Sequence, residues 1–378
     1  MERQIAEHQR EIDDVVFNLY GIEGADRQAI EESLGEASTA VSSDGDEPVE
    51  AEDAEEAAMT LDGGTLVADL LSYAVGCVFG RWDVRIALDP SLASKLADPF
   101  ALLPVCSPGM LVGPDELPAK KDGIASEEWT RARPDAITPP PEGSVENPTI
   151  SDSKYPLAVD WDGILVDDPD HPDDVVRRVR EVLELLWGER ADEIEGEACD
   201  LLGVKDLRAY FRNPKKFFEF HVKRYSKSRR KAPIYWLLQS PKRSYGLWLY
   251  YHRLDPDILF KALTKYVEPK IRLEESRLEE YEARRRSAGT GGREAKGAEK
   301  ALAKGEELLT DLREFRDRLD RAAKLHLRPD LNDGVVLNIA PLHELVPWKE
   351  AKSKWNELLS GKYEWSSIGK QLREKGIV

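Results

Sequence analysis

DLRAYFRNPKKFFEFHVKRYSKSRRKAPIYWLLQSPKRSYGLWLYYH, residues 206–252, passes from helix-forming to strand-forming chemistry and decides how the chain on either side of it folds. Residues 206–226 carry apolar side chains at helical spacing, with a break at Pro214, whose missing amide and fixed φ end a helix. Beyond Pro233 the pattern changes. Residues 234–239 and 245–252 are rich in Tyr, Trp and Leu, which favour strands, and the polar segment between them runs from Ser240 through Pro241 to Ser244. Two such runs joined by a short polar turn predict a β-hairpin.

On both sides of this stretch the periodicity is helical. Val175, Val176, Val179, Val182, Leu183, Leu186 and Trp187 line one side of a helix over residues 172–187, with Asp173 and Asp174 in the first turn, where negative charge complements the helix dipole. Further helices are expected over 191–202 and 254–266. Residues 66–81 are apolar nearly all round, as in a helix buried on most faces, and stop near Gly80. Downstream, Val267, Ile271, Leu278 and Tyr281 make one stripe, and Leu308, Leu312, Phe315, Leu319 and Ala322 make a heptad-like second one. A Gly/Ser/Ala-rich break at 287–297 separates them, which predicts two helices folded back on each other. The fold class expected is therefore mainly α: helical modules, a small β-hairpin or sheet insert, and an antiparallel, coiled-coil-like helical-hairpin arm.

Composition sets the boundaries. Residues 1–34 read as a helical lead-in broken at Gly21 and Gly24, and 35–62 as a solvated acidic linker that cannot form a core. A helix followed by an irregular proline-rich segment occupies 63–155, including the run Pro139, Pro140, Pro141. The mixed helical and hairpin module spans 156–266, the helical hairpin 267–328, and an aromatic helical tail with Trp348, Trp355, Tyr363 and Trp365 spans 329–378.

The 378 residues carry a net charge of −18, which argues against a uniformly basic nucleic-acid binder and makes the distribution of cations the deciding feature. Cys77, Cys106 and Cys199 have no paired spacing, and none of the histidines forms an HxxxH or HxH pair, so no metal site is expected. The absence of a long apolar run or a signal-like start leads to the expectation of a cytoplasmic protein without membrane contact.

The charge is reversed locally. Arg212, Lys215, Lys216, Lys223, Arg224, Lys227, Arg229, Arg230 and Lys231 fall between 212 and 231, opposed only by Glu219. They are interleaved with Phe and Tyr and followed by Tyr235 and Trp236. Cations beside flat rings are the mixture that grips phosphates and stacks on exposed bases, so these eleven positions are the expected DNA contacts. The competing structural reading is a solvated helix face over a phenylalanine core. A second motif, Asp160-Trp-Asp162-Gly163, resembles the nucleophile and acid/base pair of haloacid-dehalogenase-type phosphohydrolases. The mainly helical sequence after it does not supply that fold, and a turn capping the following helix through Asp167, Asp168 and Asp170 is the simpler reading.

The order of several stretches adds a resemblance. Residues 12–22 (IDDVVFNLYGI), 71–83 (LSYAVGCVFGRWD), 163–169 (GILVDDP), 229–236 (RRKAPIYW), 247–252 (LWLYYH), 333–342 (DGVVLNIAPL) and 346–349 (VPWK) together resemble the C-terminal region of large adenine-specific methyltransferases of BREX (Pgl) and DISARM phage-defence systems. Those are similar to type IIG and type IIL restriction-modification enzymes.

The resemblance implies an upstream catalytic part that binds S-adenosylmethionine and holds a flipped adenine with an Asn-Pro-Pro-Tyr tetrapeptide. This chain has only Asn147-Pro148-Thr149 and Asn213-Pro214-Lys215. The expectation is thus a split, truncated or excerpted chain with no catalytic residues, no metal and no cofactor of its own, the S-adenosylmethionine residing on the catalytic part or partner. Its expected partners are double-stranded DNA, the methyltransferase catalytic polypeptide and other defence-system subunits. The rival expectations are a helical assembly module that docks those subunits without touching DNA, and, more remotely, the phosphohydrolase.

Overall fold

A computed structural model describes residues 62–92, 106–113, 117–119, 155–227, 230–287 and 293–377, together with residues 15, 17, 22, 24 and 27. The acidic linker, most of the proline-rich segment and Arg229 lie outside the described residues. The chain divides into two compact units, Met1–Ala58 and Met59–Val378. In the first, Val15, Phe17, Gly24 and Arg27 are helical and Ile22 is not. The Arg27 guanidinium lies 4.7 Å from the centre of the Phe17 ring.

The second unit begins with α1 (Gly63–Val78) and α2 (Val84–Leu88), then β1 (Ile164–Val166), α3 (Val175–Trp187), α4 (Ala191–Leu202), α5 (Leu207–Arg212) and α6 (Phe217–Arg224). Two short strands, β2 (Ser226–Lys227) and β3 (Arg230–Lys231), precede the longer β4 (Tyr235–Gln239) and β5 (Gly246–Tyr250). A short α7 (Ile258–Lys261) runs through a π-helical segment, Ala262–Val267, into α8 (Glu268–Ser287). Next come α9 (Arg293–Lys324), α10 (Val335–Ile339), α11 (Lys349–Leu359) and α12 (Ser367–Glu374).

Local chemistry sets these bounds. Asp62 caps α1 by accepting from Thr65 N at 2.6 Å, and Asp206 caps α5 by accepting from Ala209 N at 2.6 Å. At the other end of α1, Gly80 takes φ +66°, Gly80 N donates to Cys77 O at 3.0 Å, and Arg81 N donates to Gly76 O at 2.8 Å. This is a Schellman ending, and it needs glycine because a β-carbon at Gly80 would also lie 2.7 Å from Val159 Cγ1.

The sheet has the order β1-β5-β4, antiparallel throughout, with Leu165 opposite Trp248 and Trp248 opposite Leu237. The predicted hairpin is β4–β5; the third strand, β1, was not foreseen. Every residue of β4 and β5 is buried, because both faces of the sheet are covered. On one face Tyr235 and Tyr250 meet Phe79 of α1, with ring centres 5.6 and 5.3 Å apart, and Trp248 meets Phe217 of α6 at 5.1 Å. On the other, Trp236 and Leu249 face Ile258 and Leu259 of α7 and Ala322 and Ala323 of α9. Strands sandwiched in this way read as continuous apolar runs instead of alternating ones. The outer edge of β4 is partly closed by the tail, where Gln239 N donates to Leu345 O at 2.9 Å.

The helical hairpin is α8 against α9. The helices approach most closely where Leu278 covers Gly305, since a β-carbon there would be 2.5 Å from Leu278 Cδ2, and Arg313 bridges to Glu275 at 2.8 Å. Along α9 the buried line is Leu302, Leu309, Leu312, Phe315, Leu319 and Ala323, so Leu309 and Ala323 are buried more deeply than Leu308 and Ala322 of the expected seam, which are partly buried and pack against the same core. A straight α-helix drifts against a strict seven-residue repeat, and the C-terminal half of α9 serves the sheet as well as α8. The tail closes on a small core of Leu337, Ala340, Leu358, Ile368 and Leu372, against which Trp355 and Tyr363 pack, while Trp365 is 62% exposed. Among the described residues no helix is long and apolar enough to cross a membrane.

Candidate nucleic-acid interface

Helix α5 places Arg208 and Arg212 one turn apart, on the side that faces the end of β1. There Asp167 is almost fully buried, with its side chain 3% exposed, and accepts from Arg208 Nη1 at 2.6 Å and from Arg212 through a second, two-pronged ion pair. Arg208 Nη2 also reaches Asp174 Oδ2 at 2.8 Å. The same Asp174 caps α3 by accepting from Arg177 N at 3.1 Å, so the cap is Asp174 and not the trio Asp167, Asp168 and Asp170. Arg212, expected as a DNA contact, is committed to this network: withdrawing it would leave a buried carboxylate under-compensated.

The other cations behave differently. Lys215 is exposed, and Lys216 Nζ donates to Leu202 O at 2.9 Å, at the end of α4 where unpaired carbonyls attract positive charge. Lys223 pairs with Glu219 at 3.1 Å, Arg224 with Asp69 of α1 at 3.1 Å, and Lys231 with Glu350 of α11 at 2.9 Å. Their side chains are 76%, 46% and 42% exposed, and such solvated pairs are worth only about 0–1 kcal/mol, so a phosphate can replace the carboxylate at little cost. Strands β2 and β3 form a two-rung ladder, Ser226 opposite Lys231 and Lys227 opposite Arg230, which brings Lys227, Arg230 and Lys231 together along the backbone of a short hairpin.

Tyr235 and Trp236 are not surface rings. They are 0% and 1% exposed, and Trp236 Nε1 is already satisfied by Pro233 O at 2.8 Å. The expectation that they contact DNA is corrected by the sheet's double cover: aromatic residues next to a basic run here belong to the core. His221 joins the same core. Its Nε2 accepts from Ile234 N at 2.9 Å and Tyr235 N at 3.1 Å, pinning α6 to β4. Burial, reinforced by the Arg81 charge, holds this histidine well below its ordinary pKa, so it is neutral.

A cation outside the expected set lies beside the short hairpin. Arg81, the residue that ends the α1 turn, donates from Nη1 to Tyr225 Oη at 2.9 Å. Its guanidinium lies 4.5 Å from the centre of the Trp82 ring and 5.2 Å from that of Tyr225. An Arg-Trp pair just after a helix-ending glycine was a readable signal, but the partner ring, Tyr225, is 144 residues away in sequence.

Of the three sequence features that touch on catalysis, Asn147-Pro148-Thr149 lies outside the described residues and the other two are structural here. Asn213 Oδ1 accepts from Lys215 N at 3.1 Å and Pro214 is buried, so Asn213-Pro214 is the turn between α5 and α6 and does not fit an adenine-holding tetrapeptide. Asp160 Oδ1 accepts from Gly163 N at 3.1 Å, Asp162 pairs with Lys265, and β1 beyond them joins an antiparallel sheet. That is a tight turn, and among the described residues every pair of strands is antiparallel, whereas a haloacid-dehalogenase-type phosphohydrolase requires parallel strands.

The sequence matches no family model. It is related to the adenine-specific methyltransferases of the BREX (Pgl) type, in agreement with the resemblance noted above. The chain is 31% identical over 208 residues to the adenine-specific methyltransferase BrxX of Escherichia coli O9:H4 (strain HS), an alignment covering 50% of this chain and 16% of BrxX. It is 24% identical over 281 residues to the adenine-specific methyltransferase PglX of Lacticaseibacillus casei (strain Zhang), covering 71% of this chain and 19% of PglX. The chain thus spans about a fifth or less of the length of the curated relatives it matches.

Proposed function

We propose that this chain is a DNA-contacting, target-recognition part of a site-specific adenine (N6) methyltransferase of a phage-defence or restriction-modification system, corresponding to the region after the methyltransferase core. Its module at residues 156–266 carries the contact, and the helical hairpin at 267–328 is an arm beside it. The observation that carries this reading is the reversal of charge between residues 212 and 231 in a chain of net charge −18. Lys223, Arg224 and Lys231 of that run hold exchangeable surface pairs. The similarity to adenine-specific methyltransferases supports duplex DNA as the polyanion.

In this reading Lys215, Lys223, Arg224, Lys227, Arg229, Arg230 and Lys231 set affinity through phosphates, which position a protein on DNA without reading sequence. S-adenosylmethionine is bound by the catalytic part or partner, and the reaction takes place in the cytoplasm. Titration of the chain with duplex DNA at stepped salt tests the proposal. Affinity should fall linearly on a log–log plot as salt rises, and absence of binding, or binding indifferent to salt, contradicts it.

A further inference from the structure

We propose that Arg81, held over the rings of Trp82 and Tyr225, is a contact for a backbone phosphate of bound DNA. This rests on the DNA-contacting function proposed above and extends it to a residue outside the basic run.

Arg81 is a built feature. The Schellman ending of α1 sets its backbone, and its carbonyl accepts from Leu111 N at 3.1 Å. Trp82 is seated on Gly76, where a β-carbon would lie 2.3 Å from Trp82 Cδ1. The guanidinium is therefore placed by rigid elements on one side and by Tyr225 on the other.

Its charge is not neutralised. Arg212, Lys223, Arg224 and Lys231 each have a carboxylate at ion-pair distance, whereas among the described residues Arg81 has none. A half-buried cation without an anion is costly, and ring faces return only about 0.5–2 kcal/mol. Nη1 of the guanidinium is taken by Tyr225 Oη and the buried Tyr235 hydroxyl lies against it, and the rest of its planar, forked N–H edge matches the oxygens of a phosphate.

Position selects the ligand. Tyr225 immediately precedes β2, and Ala232 N donates to Tyr225 O at 3.1 Å across the root of the basic hairpin. Arg224, the residue before Tyr225, pairs with Asp69 on α1, the helix whose glycine ending at Gly80 leads into Arg81. A DNA backbone that follows the hairpin cations passes the foot where Arg81 stands.

The test compares wild type, Arg81→Ala and Arg81→Lys with a mixed-sequence DNA duplex at stepped salt, with thermal midpoints recorded for each. Arg81→Ala should lose about fivefold to tenfold in affinity and lower the salt slope by about one. Arg81→Lys should keep the slope and lose about twofold to threefold, since it keeps the charge but not the fork. Variants with wild-type affinity and slope overturn the Arg81 assignment and leave DNA binding by the basic run intact; wild type without salt-dependent binding overturns both. A loss confined to particular sequences overturns the phosphate in favour of a base edge. If Arg81→Ala does not fold, Arg81→Lys decides alone: unchanged affinity rejects the proposal.

Discussion

Lys270 Nζ lies 2.8 Å from Asp168 Oδ1, with the two side chains 8% and 5% exposed, and this buried ion pair ties the helical hairpin to the end of β1. The ammonium also meets Glu274 at 3.0 Å and Asp170 at 3.1 Å, and Arg277 reaches Asp170 at 2.8 Å. One lysine thus meets two carboxylates that water hardly reaches, Asp168 and Glu274, and a third, Asp170, that is 39% exposed. Lys270→Met should destabilise the protein by about 3–5 kcal/mol, because it strands Asp168 as a buried charge, while Glu274 keeps Arg277 at 2.8 Å. Glu219→Ala, which opens the exposed pair with Lys223, should cost under about 1 kcal/mol. Urea unfolding of both variants checks the contrast, and equal losses would contradict it.

A second anchor of the hairpin is Asp311 on α9. It is 2% exposed and accepts from Ser240 Oγ at 2.6 Å, from Lys242 N at 2.8 Å and from Ser244 Oγ, so it organises the β4–β5 turn from the outside. Asp311→Ala leaves the buried Ser240 hydroxyl and the part-buried Lys242 N and Ser244 Oγ without this partner and should cost about 2–4 kcal/mol. Thermal unfolding measures it; a change within about 0.5 kcal/mol would show that the turn holds itself.

Asp160 gives a pH signature. Burial first, and the charges of Asp173 and Asp162 as well, push its carboxyl up to about 7 from 3.8, against the lowering effect of the Ile164 and Gly163 amides. The folded chain therefore holds this proton more tightly than the unfolded chain. Its contribution to stability is complete below about pH 3.8 and is lost as pH rises through about 7. Asp160→Asn mimics the protonated form and keeps an acceptor for Gly163 N. The variant should be more stable than wild type by on the order of 2–4 kcal/mol at pH 8, and the gap should shrink toward pH 4. Parallel stability profiles across that range would contradict the assignment.

Much of this fold was legible because it rests on local chemistry. The β4–β5 hairpin announced itself through two aromatic runs around Ser240–Ser244, and α1 through its apolar run and the Gly80 near which it stops. β1 was not legible: Ile164–Val166 is three residues long and sits inside an aspartate-rich turn, so its strand character comes wholly from pairing with β5. The candidate site was legible as a composition but not as a geometry. Sequence alone could not tell that Arg212 turns inward to Asp167, or that Tyr235 and Trp236 are covered on both faces of the sheet. Arg81 was missed for the opposite reason, since its second ring, Tyr225, is supplied by a distant segment. Burial and long-range pairing decide these cases, and neither is written in a window of neighbouring residues.

The central claim is that the basic run grips duplex DNA, and the most direct measurement is the salt-dependent affinity of the triple variant Arg229→Ala, Arg230→Ala, Lys231→Ala beside wild type. The account predicts a folded variant with at least about tenfold weaker binding and a salt slope lower by about two to three. Unchanged affinity and slope in a folded triple variant would contradict it.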